Sequence, residues 1–116
     1  MITGINYVSL PVSDMAVARH FYGDVLGLTL RLASANWLEF QLGMLVLALY
    51  PAERGELRGG DVAFSVTGLD TLVQSLKLKG VVFKHGIETF ELPTSRGKLA
   101  RFADPFGNRL ELVESA

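Results

Sequence analysis

The sequence predicts an α+β fold: two tandem βαβββ modules forming a curved mixed sheet around a cleft, with the helices on the outside. Three observations carry this. A period-two apolar run leads directly into a run of helical period. That pair occurs twice, separated by a polar, glycine-rich stretch, "PAERGELRGG" (51–60). Each occurrence is followed by further short alternating runs broken by turn residues.

In "INYVSLPV" (5–12), Val8, Leu10 and Val12 fall on one face and Tyr7, Ser9 and Pro11 on the other, the pattern of a half-buried strand. Ser13 and Asp14 suit the N-cap of a helix whose apolar positions are Val17, Ala18, Phe21, Tyr22, Val25 and Leu26, with Gly27 as its left-handed stop. "LTLRLAS", "NWLEFQL" and "MLVLALY" read as three strands, broken at Ala35-Asn36 and at Gly43. Module one therefore covers about 1–52, a linker about 53–60, and module two about 61–116. In module two, "VAFSVTGLDTLVQSLKLKGVVF" (62–83) lies on "VSLPVSDMAVARHFYGDVLGLTL" (8–30), with Val62 on Val8, Phe64 on Leu10 and Val66 on Val12. Its helix runs through Leu72, Val73 and Leu76 and stops at Gly80. "KLARFAD" and "NRLELVE" are its closing strands, and "KHGIETFELPTSRG" (84–97), longer than an ordinary connection, reads as a lid.

A chain of 116 residues suits one domain of two such modules. With 11 Lys plus Arg against 12 Asp plus Glu and no basic run, no nucleic-acid partner is expected. No apolar run reaches the roughly 18 residues that cross a bilayer, and the N-terminus lacks a signal-peptide pattern, so the expectation is a soluble cytoplasmic protein without a membrane partner. A hydrophobic content of 49% and a mean hydropathy of +0.31 exceed what a small monomer needs and predict a homodimer. The absence of cysteine excludes disulfides, thiolate metal sites and a cysteine nucleophile.

The run "YVSLPVSDMAVARHFYGDVLGLTL", the module repeat and the closing "FADPFGNRLELVE" resemble the vicinal oxygen chelate superfamily, which contains glyoxalase I, extradiol dioxygenases, fosfomycin-resistance transferases and bleomycin-resistance proteins. The resemblance covers essentially the whole chain and implies the two-module fold, a fold that hosts many activities. In metal-dependent members the first and last strands of each module supply His or Glu ligands. Those positions fall here at Tyr7, Val46, Asp61 and Glu111. Aligning Gly43 with Gly107 would select Leu47 instead of Val46; strand parity favours Val46. Only Glu111 keeps the ligand type that the resemblance implies.

If Leu110 and Leu112 pack under the helices, alternation puts Arg109 and Glu111 on the cleft face. There Glu111 can act as a general base, or can be a structural carboxylate neutralised by Arg109 or Arg101 across the sheet. His20 reads as a solvent-facing helix residue and His85 as a lid residue. With two histidines and no cysteine, a glyoxalase-type transition-metal centre is disfavoured and no cofactor is expected. A hard divalent cation on Glu39, Asp61 and Glu111 with Tyr7 is the weaker alternative; its competitor leaves Glu39 and Asp61 solvated near strand ends.

Trp37, Tyr7, Tyr50 and Met44 fall on the face assigned to the cleft, with Val46, Ser9, Gln41, Ser65, Arg101 and Arg109. Aromatic walls with few polar groups suit a small hydrophobic or aromatic ligand. Trp37 suits a core or dimer seam equally well, and Phe106 reads as an exposed or interface aromatic in the closing turn. The expected function is metal-independent binding of such a molecule, in the manner of bleomycin-resistance proteins. The alternatives are a divergent lyase, isomerase or dioxygenase using Glu111 with Tyr7 or Asp61, and an interaction module with a filled cleft.

Overall fold

Alternating strands and glycine turns build two four-stranded sheets, one per module. The structure, a computed structural model, describes residues 1–53 and 60–116; most of the 53–60 linker lies outside the described residues. Its elements are β1 (Val8–Val12), α1 (Met15–Arg19), β2 (Thr29–Ala33), β3 (Leu38–Leu42), β4 (Leu45–Pro51), β5 (Asp61–Ser65), α2 (Leu69–Leu78), β6 (Glu88–Glu91), β7 (Arg96–Ala103) and β8 (Arg109–Ser115). The sheets have the orders β1-β4-β3-β2 and β5-β8-β7-β6, so each module is βαβββ with its first strand parallel to its last. By contacts the chain forms two units, Met1–Gly60 with Pro105–Gly107 and Asp61–Asp104 with Asn108–Ala116.

In the first unit, Asp14 caps α1 by accepting from the Val17 N–H at 3.0 Å. The helix does not continue as α to Leu26. From His20 to Val25 it widens to a π-helix that contains Gly23, the poorest helix former of the segment, and ends before Gly27 at φ +77°. Tyr22, fully buried on this stretch, lies 6.1 Å from the ring of Phe40 on β3. Leu10 and Val12 of β1, Leu38 and Phe40 of β3, and Leu47 and Leu49 of β4 complete this core. Pairing of Leu38 with Leu49 and Phe40 with Leu47 confirms that they share the helix-covered face. Met44, expected on the opposite face, is instead fully exposed beside Gly43 (φ +58°) in the two-residue β3–β4 turn.

The second core comprises Leu69, Val73 and Leu76 of α2 with Ala100, Phe102, Leu110 and Leu112. The Gly68 N–H at the start of α2 donates to Glu114 on β8 at 2.7 Å. Lys98 of β7 donates to Asp70 of α2 at 3.0 Å, which holds its ammonium above the usual 10.5. That contribution is present at neutral pH and disappears only as pH rises through the raised value.

Module two departs from the repeat after α2. Residues 81–83, expected as a strand, carry no strand pairing, and the expected lid contains β6, which pairs with β7 from Glu88↔Leu99 to Glu91↔Arg96. The chain runs beside β7 from the Lys84 N–H, which donates to the Arg101 carbonyl at 2.8 Å, but His85 at φ +85° breaks the extended conformation. The Asp-Pro-x-Gly-Asn sequence makes the β7–β8 turn. Asp104, buried, accepts from the Asn108 backbone N–H at 2.9 Å and from its amide at 2.8 Å, while Gly107 takes φ +88°. No helix of the described residues is long and apolar enough to cross a membrane.

Gly97 has no room for a side chain, because a Cβ there would overlap the Glu114 carbonyl across the β7–β8 pair. Gly97→Ala is expected to destabilise the fold by about 1–3 kcal/mol, measured by urea denaturation.

Candidate functional site

Strand register decides which side chains share the face opposite the helices. In the first sheet, Ser9 pairs with Ala48, Gln41 with Val46 and Glu39 with Ala48, so Ser9, Glu39, Gln41, Val46 and Tyr50 lie on this open face. Tyr7 precedes β1 and Trp37 precedes β3, and their rings meet edge to face at 5.2 Å. The Trp37 indole N–H donates to Glu39 at 2.8 Å. Val46 is buried, so the module's last-strand position carries an apolar side chain with no donor atom.

Arg31 was not among the residues singled out from the sequence. It lies 3.5 Å from Glu39 and donates to Gln41 at 3.1 Å, so the carboxylate expected to be solvated or metal-binding is shared between a guanidinium and an indole. Its position between Leu30 and Leu32 was a usable signal, since a cation flanked by two apolar residues on a strand points away from the core. The register shift between Leu30 and Leu32, which leaves Leu32 52% exposed, had no comparable signal.

In the second sheet, Asp61 pairs with Arg109, Ala63 with Glu111 and Arg101 with Glu111, placing Asp61, Arg101, Arg109 and Glu111 on one open face. The charges there are matched. Arg109 donates to Asp61 at 2.8 Å, and the Arg101 Nε donates to Glu111 at 3.0 Å. The Nη1 of Arg101 also lies 3.3 Å from Glu88 on β6. Glu88 carries no signal in the sequence, because its stretch reads as a lid rather than a strand.

These side chains border a cavity of about 540 Å³, in the range of small-molecule sites. Phe83 supplies apolar wall and Val82 an apolar rim, with Lys84 beside it, while Phe102 and Leu110, whose side chains belong to the core under α2, bound the cavity only from behind. The rings of Phe83 and Phe102 lie 5.3 Å apart, tilted by 53°, and the Lys84–Arg101 backbone bond ties Phe83 to β7. The two histidines lie elsewhere. His20 pairs with Asp24 in solvent at 2.9 Å, and His85 lines a separate cavity of about 390 Å³ between α2 and residues 83–87.

The resemblance marks four positions as metal ligands, two on each module. Val46 offers no ligand atom, while Asp61 and Glu111 are each engaged by a guanidinium. Among the described residues no three His, Cys, Asp or Glu side chains cluster as a metal site.

A family model described as Glyoxalase/Bleomycin resistance protein/Dioxygenase superfamily matches residues 4–112. Among solved structures, the chain is similar to a glyoxalase family protein from Bacillus anthracis, with 22% identity, 100% of this chain and 98% of that chain covered, and a TM-score of 0.76. It is likewise similar to a lactoylglutathione lyase from Agrobacterium tumefaciens, with 22% identity, coverage of 98% and 95%, and a TM-score of 0.77. An integron cassette protein from the mobile metagenome of the Halifax Harbour sewage outfall gives 26% identity, coverage of 97% and 99%, and a TM-score of 0.81.

Arg101 stands between two carboxylates, so Arg101→Met leaves Glu88 and Glu111 without their shared cation. A loss of about 1 kcal/mol is expected, in keeping with partly exposed pairs. Adding Glu111→Gln should recover part of that loss in a double-mutant cycle read by urea denaturation.

Proposed function

Because the chain belongs to the Glyoxalase/Bleomycin resistance protein/Dioxygenase superfamily, we propose that it binds a small hydrophobic or aromatic molecule without a metal, as a cytoplasmic homodimer. The observation that carries this reading is the cavity of about 540 Å³ on the second module, bordered by Val82 and Phe83 and by Asp61 and Glu111, each already engaged by arginine. A carboxylate held by a guanidinium at 3.0 Å gives up electron pairs that a cation would need. The aromatic pair Tyr7–Trp37 on the first module's open face offers a second apolar contact surface.

A catalytic reading, as a lyase, isomerase or dioxygenase relative using Glu111 with Tyr7 or Asp61, rests first on Glu111, which keeps the ligand type of its family position. Asp61 lies on the same open face of the same unit, whereas Tyr7 belongs to the other unit. On that reading Glu111→Gln abolishes turnover while the melting curve stays in place.

The proposal is tested by thermal melts of chelator-treated protein. Added Mg²⁺, Mn²⁺, Ni²⁺ or Zn²⁺ should leave the melting point unchanged, while a bound aromatic compound at a hundred times its Kd should add about 2.7 kcal/mol of stability. A metal-dependent rise that Glu111→Ala removes would contradict it. For the dimer, Ile2, Ile5 and Val8 are exposed apolar side chains near the N-terminus, and light scattering should give twice the 12.7 kDa of one chain.

A further inference from the structure

The charges bordering the second-module cavity are not all paired. Two carboxylates, Asp61 and Glu111, face three cations, Lys84, Arg101 and Arg109. Each carboxylate is taken by one arginine, at 2.8 and 3.0 Å. Glu88, the remaining acidic neighbour, approaches Arg101 at 3.3 Å but does not border the cavity, and its Oε2 is buried without a hydrogen bond. Lys84 has no ion pair among the described residues; its backbone N–H is fixed to Arg101, so its position beside the cavity is set by β7. A guanidinium has five N–H donors, and the ones that Arg101 and Arg109 leave over have no partner among the described residues.

The apolar side of the cavity is equally uneven. Val82, two residues before Lys84, is 83% exposed at the rim, and Phe83 borders the cavity between them, while Phe102 and Leu110 lie buried in the core behind it. An apolar rim next to an unpaired ammonium is complementary to a molecule with an apolar body and one negative group.

We propose that this cavity selects organic anions, a carboxylate or an equivalent group on an aryl or short alkyl body, with Lys84 as the residue that sets the preference. This rests on the binding-pocket reading above and names the ligand class of that pocket. The anion meets Lys84 and the unused arginine N–H groups, and the body covers Val82 and Phe83.

Isothermal titration with three probes of one shape separates the two claims: 2-naphthoate, the neutral 2-naphthamide and the cationic 2-naphthylmethylammonium. The naphthoate should bind roughly tenfold more tightly than the amide. The ammonium compound should be the weakest of the three. Lys84→Gln should bring naphthoate down to the amide's affinity and leave the amide unchanged, and Lys84→Arg should keep the preference. Equal affinity for all three probes or tightest binding of the ammonium compound overturns the anion inference and leaves the pocket standing, and a naphthoate preference that survives Lys84→Gln overturns the assignment of that preference to Lys84. Failure of all three to bind overturns the pocket reading together with it.

Discussion

Parallel pairing of the first strand of each module with its last is the constraint on which the remaining structure depends. A parallel neighbour cannot be reached by a tight hairpin, so the chain must return by a helix and then reverse twice more before it lies beside where it began. That path places a helix over one face of each sheet and leaves the other free of helix. It also fixes register, because Asp61 beside Arg109 and Ala63 beside Glu111 follow from the β5–β8 pairing, as Ser9 beside Ala48 follows from β1–β4. A slip of one residue would turn every open-face charge of β8 into the core.

Chemistry on the second module follows from that register. Once Arg101 and Glu111 are cross-strand partners and Arg109 stands beside Asp61, the two acidic groups most suited to a cation are matched by the two nearest guanidiniums. Such pairs contribute little to stability at this exposure, and their larger effect is on what the surface can bind. Matched charges leave Val82, Phe83 and a lysine without an ion pair among the described residues as the distinguishing features of the cavity.

Much of the fold was legible because its signals are local. Alternation identified the faces of β1, β3, β4 and β8, Asp14 marked a cap, and Gly27, Gly43, Gly80 and Gly107 all sit at positive φ where turns require them. Three features were not legible in that way. The π-helical stretch after Arg19 keeps a helix-like apolar period, so periodicity alone does not separate it from an α-helix. Strand β6 is four residues long and follows a break at His85, so its short alternation was lost in a stretch that looked like loop. At the site, residue types could be listed from the sequence, but the partnerships of Glu39 with Arg31 and of Glu88 with Arg101 join strands and depend on register. Lys84 draws its interest from what does not pair with it, which a sequence cannot express.

The most direct test of the account is where an aromatic ligand lands on metal-free protein. Amide chemical-shift mapping on chelator-treated, ¹⁵N-labelled protein, titrated with a small aromatic compound, should show its largest changes at residues 82–84, 101–103 and 109–111. Changes confined to other surfaces, or binding that appears only after a divalent metal is restored, would contradict a metal-independent pocket on the second module.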